Sequence, residues 1–128
     1  MSEKYVIGVD YGTLSGRALV VRTLDGKEMG SAVFEYPNAV MDRVLNASGA
    51  ALGPDWALQD PSDYVEVLKH AVPEAVKIAG INPSDVVGIA TDFTACTMVP
   101  VFEDGTPFSA RDEYKKTPHA YVKLWKHH

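Results

Sequence analysis

The sequence predicts an α/β fold around a mixed five-stranded sheet, and three observations carry that prediction. The chain opens with three β-branched stretches joined by tight turns, the signature of an antiparallel meander. A long stretch with apolar residues at helical spacing follows. After it comes a short, continuously apolar run of the kind that forms a buried parallel strand. A doubly wound dinucleotide fold would instead pass from its first strand directly into a helix.

The elements follow in order. Tyr5 to Val9 forms the first strand and runs into the turn Asp10-Tyr11-Gly12-Thr13. Alternation resumes from Arg17 to Thr23, Asp25-Gly26 makes a hairpin turn, and Glu28 to Tyr36 is the third strand, stopped by Pro37. Residues 38–59 are rich in small residues and read as a long, mobile loop with one helical turn at Val40 to Leu45. Within it Trp56 reads as a staple near the start of the helix. Asp60-Pro61-Ser62-Asp63 starts that helix, with an N-cap, a proline at the first position and acidic residues in the first turn. Tyr64, Val65, Leu68, Ala71, Val72, Ala75, Val76 and Ala79 supply the apolar stripe, and Gly80 ends it. Pro73 predicts a kink near residues 69–73 or two abutting helices. Val86 to Ala90 is the parallel strand and Thr97 to Phe102 the fifth strand, turned by Asp104-Gly105. Thr117 caps and Pro118 opens a final helix, with Tyr121, Leu124 and Trp125 on one face.

Composition narrows the function classes. The net charge of −5 disfavours nucleic acid and anionic membrane as partners, because both reward a basic patch. No apolar run is long enough to span a bilayer or serve as a leader. The single cysteine, Cys96, rules out an intrachain disulfide framework and suits the cytoplasm. The four histidines and this cysteine have no metal-ligand spacing.

The most informative stretch is Asp10-Tyr11-Gly12-Thr13-Leu14-Ser15-Gly16-Arg17. Gly12 lets the backbone take an unusual φ and approach a ligand closely. Turn N–H groups can form an anion-binding nest. Thr13 and Ser15 offer hydroxyl donors, and Arg17 a planar cationic fork. Asp10 would repel phosphate unless a cation lay between them, as a Mg²⁺-organising carboxylate requires. Neither G-x-G-x-x-G nor the Walker A pattern is present. The physical reading stops at a phosphate bound through Mg²⁺; a plain hairpin turn is the alternative.

The pattern Asp-x-Gly-Thr-x-Ser-x-Arg near the start of a chain resembles the first phosphate motif of the FGGY carbohydrate kinases. That resemblance implies a ribonuclease H-like, actin-like ATPase domain, of which these 128 residues are the N-terminal part. It implies that Asp10, Gly12, Thr13, Ser15 and Arg17 face the β- and γ-phosphates of ATP, with Asp10 holding Mg²⁺ through water. Beyond the apolar strand, Thr91-Asp92-Phe93-Thr94-Ala95-Cys96-Thr97 occupies the place where ligands bind in parallel sheets. This run resembles that of the family's L-ribulose-specific members and places Asp92, Phe93, Thr94 and Ala95 at a pentulose, with strand-end packing around a buried Cys96 as the alternative. Leu124-Trp125-Lys126-His127 resembles a further element of those members, in which Trp125 stacks on the sugar and Lys126 reaches its hydroxyls; core packing of Trp125 is the alternative there.

The resemblance thus implies ATP-dependent phosphorylation of L-ribulose to L-ribulose 5-phosphate in arabinose catabolism. Xylulose and D-ribulose are the alternative sugars, and a non-catalytic actin-like nucleotide-binding module is the reading from a different class. The family's general-base Asp, second phosphate motif and adenosine pocket lie downstream, so no catalytic base is assigned here. The 128 residues alone are expected to be inactive, to bind Mg·ATP weakly or not at all and, with one sheet face uncovered, to self-associate, a homodimer among the forms, or to be unstable.

Overall fold

A computed structural model describes residues 2–128. Its backbone divides into two compact units, residues 2–36 with 64–93, and residues 37–63 with 94–128.

In the first unit, strands β1 (Tyr5–Tyr11), β2 (Ser15–Arg22) and β3 (Glu28–Glu35) form the predicted antiparallel meander. Strand β5 (Val86–Phe93) lies parallel to β1, giving the order β3-β2-β1-β5. Helix α1 (Pro61–Ala79) connects the meander to it. The sheet has four strands rather than five. Thr97 to Phe102 forms only isolated bridges, Met98 to Lys123 and Val101 to Pro107, because Pro100 interrupts the ladder that a strand would need.

Period-two burial in β1 sends Tyr5, Ile7 and Val9 to one face, joined there by Ala18 and Val20 of β2. Helix α1 covers this face with Val67, Ala71 and Ala75. The buried stripe differs from the predicted one: Val67 is fully buried, while Val65 and Leu68 are exposed. Gly16 explains the shift, since a Cβ there would lie 2.6 Å from both methyl carbons of Val67. The helix is seated where the sheet has no side chain. Full burial of a side chain such as Val67 contributes about 1.5–3 kcal/mol, and a single buried carbon such as an alanine methyl about 0.8 kcal/mol. The helix runs unbroken through Pro73 and ends at Gly80, whose φ of 66° is the left-handed geometry of a helix stop. Strand β5 is longer than predicted and is not buried; Val87, Ile89 and Phe93 are exposed on this edge of the sheet.

The second unit has little regular structure. Strands β4 (Leu58–Gln59) and β6 (Val122–Lys123) pair antiparallel, and Met41 and Leu58 exchange both backbone bonds across an isolated bridge. Residues 40–45 form no helical turn. Met41 and Leu45 instead pack with Leu58, Ala120 and Tyr121 in a core of the unit's own, so the 38–59 stretch is a packed element. The final helix is a single 3₁₀ turn, Pro118–Ala120, followed by β6. Tyr121 and Leu124 are buried there, whereas Trp125 remains 54% exposed, so the three do not share a helix face.

Candidate functional site

The tip of the β1–β2 hairpin is held by a cluster of tyrosines. Gly12 N–H donates to the Ser15 carbonyl at 2.8 Å, closing the turn. A Cβ on Gly12 would sit 3.1 Å from that carbonyl, so close approach is what glycine provides here. Its φ lies outside the left-handed region, contrary to the expectation of an unusual φ. Tyr36 donates its hydroxyl to the Gly12 carbonyl at 2.8 Å and its N–H to the Leu14 carbonyl at 3.0 Å. Tyr11 donates to the Tyr64 carbonyl at 3.0 Å, and the Tyr64 ring packs edge-on against both Tyr11 and Tyr36. Burial pushes the Tyr11 hydroxyl above its ordinary value, so it stays a neutral donor. Sequence reasoning placed Tyr64 on the apolar stripe of the helix but did not connect it with Tyr11 and Tyr36. The alternation in β1 contained the signal for Tyr11, but the other contacts depend on how the chain folds back.

One step down the hairpin, Arg17, Asp10 and Asp92 form a rung across β2, β1 and β5: Asp10 is the Cα partner of both Arg17 and Asp92. Gly8, Val9, Asp10, Arg17, Leu19, Ala90, Thr91 and Asp92 line an open cleft of about 370 Å³. A hydrogen bond to Asp10 raises the Asp92 carboxyl above its ordinary value, with desolvation and the charge of Asp10 acting in the same direction. Two acidic groups therefore meet at one point, with a guanidinium in the same row.

That donor set suits a hard divalent cation. Mg²⁺ takes one or two carboxylates and completes its shell with water and phosphate oxygens, and Asp10 with Asp92 supplies the carboxylates. Among the described residues no group of three or more His, Cys, Asp or Glu is placed to cage a metal by itself.

The predicted sugar residues divide between the units. Asp92 faces the cleft with Asp10, but Phe93 pairs with Tyr11 on the opposite face of the sheet and is 72% exposed. Thr94 and Ala95 belong to the second unit. There the Thr94 and Thr97 hydroxyls bond at 2.7 Å, and Thr97 also donates to the Ala95 carbonyl at 3.3 Å. Cys96 within this turn has φ 56° and is exposed, so packing around a buried cysteine does not account for the run. Trp125 and Lys126 follow β6, and Lys126 lines a second cavity of about 270 Å³ with Asp42, Arg43, Asp55, Trp56 and Ala57. Trp56, expected as a staple, packs its ring against those of His119 and His127 at 5.1 and 5.4 Å.

No family profile matches the chain. A ribulokinase of Mycolicibacterium smegmatis is 60% identical over 126 residues, 98% of this chain. A ribulokinase of Geobacillus thermodenitrificans is 55% identical over all 128 residues. The chain is a ribulokinase homologue throughout its length. It spans 22% of the length of each of these relatives. Among solved structures, a xyloylose kinase from Brucella ovis superposes with a TM-score of 0.68 at 18% identity, covering 94% of this chain and 21% of that one. At such identity the likeness speaks to the fold alone, which is part of an actin-like domain as found in FGGY sugar kinases. Among the described residues no helix is long and apolar enough to cross a membrane.

Proposed function

We propose that this chain carries the N-terminal, phosphate-binding part of the first domain of a cytoplasmic FGGY kinase that phosphorylates L-ribulose with ATP. The observation that carries the reading is the Arg17–Asp10–Asp92 rung directly below the Gly12–Ser15 turn, in a chain 55% identical to a ribulokinase over its whole length.

The hairpin's part is positional. Tyr36 fixes the Gly12–Ser15 turn, whose backbone N–H groups and Thr13 and Ser15 hydroxyls would bind the β- and γ-phosphates. Arg17 adds a bidentate cationic donor at the same level. Asp10, with Asp92 beside it, would hold Mg²⁺, through water or directly. The cation, when bound, neutralises charge that develops on the transferred group. Thr94, Ala95, Trp125 and Lys126, all of the second unit, would contact the pentulose. With the acceptor hydroxyl in line and water excluded, positioning supplies much of the rate. The general base lies outside this chain.

Turnover of the complete kinase across pentuloses tests the reading. L-Ribulose is expected to be the preferred acceptor, and a clear preference for xylulose or D-ribulose would overturn the substrate assignment. Asp10→Asn in that enzyme should lower kcat by about two orders of magnitude or more, as loss of a charge-organising group does; unchanged turnover would remove Asp10 from the site.

A further inference from the structure

Residues 124–128 are tied to residues 55–57 by three hydrogen bonds. Leu124 N–H donates to the Ala57 carbonyl at 3.0 Å, and His128 N–H to the Asp55 carbonyl at 2.9 Å. The third bond is of another kind: Ala57 N–H donates to Nδ1 of His127 at 3.1 Å. A ring nitrogen that accepts a hydrogen bond carries no proton, so His127 is held as the neutral imidazole protonated at Nε2. Ala57 is only 3% exposed, which leaves its N–H little access to water as a substitute partner. The His127 ring also packs on that of Trp56, which packs on the His119 ring as well.

We propose that His127 is a positioning residue whose neutral ring latches the 124–128 segment to Ala57 and so fixes how Trp125 and Lys126 are presented to the sugar. This rests on the reading that Trp125 and Lys126 contact the pentulose.

The latch is sensitive to acid. Protonation at Nδ1 would set a second donor against the Ala57 N–H, and the bond must break. Burial holds His127 below its ordinary value of 6.5, with the charge of Lys123 acting in the same direction. From the other side, Asp55 contributes its backbone carbonyl to His128, while Asp42 and Arg43 face Lys126 across the small cavity. Because the folded value lies below the unfolded one, the latch is fully formed above pH 6.5 and its stabilisation is lost as pH falls through that window.

Nitrogen NMR on the 128-residue chain reads the latch directly. His127 should show the Nε2–H tautomer, and the Ala57 amide should shift with the same midpoint as the ring, below pH 6.5. His127→Asn offers an acceptor near the Nδ1 position and should hold the Ala57 amide constant across that range. His127→Phe should give the acid-form Ala57 shift at every pH. An Nδ1–H tautomer, or an Ala57 amide indifferent to both His127 and pH, would overturn the latch. In the complete kinase, His127→Phe should raise the pentulose KM about two- to tenfold, the range set by one lost hydrogen bond, with the Asn variant close to wild type. If Trp125→Ala raises KM and His127→Phe does not, the positioning role fails. If Trp125→Ala itself leaves KM unchanged, the sugar-site reading fails and the NMR result still decides the latch.

Discussion

In residues 2–36 and 64–93, one helix is seated on four strands, and the backbone is satisfied by long regular ladders. In residues 37–63 and 94–128, two strands of two residues, 3₁₀ turns and single bridges do the same task. Both units nevertheless bury side chains completely: Val67, Ala18 and Val20 in one, Leu45 and Leu58 in the other. The difference teaches that a core does not require regular structure around it. What the second unit lacks is periodicity, so its core rests on a few large residues brought together from distant parts of the chain.

The comparison can be broken most forcefully at Leu58. Leu58→Ala in the second unit should cost about 2–5 kcal/mol by leaving a cavity, read as a lower denaturant midpoint. A loss below about 1 kcal/mol would show that the second unit has no true core. In the first unit the vulnerable contact is a close approach. A Cβ on Gly30 would lie 2.7 Å from Ala79 N and 2.9 Å from the Ala75 carbonyl, and backbone cannot swing away as a side chain can. Gly30→Ala should cost about 1–3 kcal/mol in the same measurement. Tyr36→Phe removes the hydroxyl bond to Gly12 and should cost about 0.5–1.5 kcal/mol. It should also speed hydrogen exchange at the hairpin tip.

The same contrast explains what was legible in the sequence. The meander, the helix with its Asp60 start and Gly80 stop, and the parallel strand follow from local chemistry and period. The shift of the helix's buried stripe to Val67 did not, because it depends on Gly16, 51 positions earlier in sequence but directly beneath it. In the second unit, Tyr121, Leu124 and Trp125 mimic helical spacing, yet β6 pairs with a strand some 60 residues away. Alternation over two residues carries no readable signal. In the candidate site, Asp10 to Arg17 was readable because a hairpin is local. That Asp92 joins Asp10 in one rung depends on the parallel register of β1 and β5.

Two smaller effects sharpen the account of the first unit. Asp92 has its carboxyl raised above 3.8 in the fold, so the pair's stabilising contribution is complete below that value and fades as pH rises through the folded one. Once ionised, Asp92 sets its charge against that of Asp10. Asp92→Asn should make the chain more stable than wild type at neutral pH and flatten the acid end of its pH–stability curve. Mg²⁺ should raise the melting temperature of wild type more than that of the variant. Equal slopes and equal Mg²⁺ responses would mean the rung is not electrostatically coupled. The exposed row Val87, Ile89 and Phe93 should promote association of the 128-residue chain, and Ile89→Lys should reduce it in sedimentation velocity. A wild-type chain that stays monomeric at high concentration would contradict that expectation.

Titrating Mg·ATP into the labelled 128-residue chain and following its amide shifts tests the phosphate cradle most directly. The Gly12 to Ser15 amides should move, with affinity weaker than micromolar, and the response should vanish in Asp10→Asn. Hairpin amides that stay silent while others move, or micromolar affinity from this chain alone, would contradict the reading of Asp10 to Arg17 as one part of a larger site.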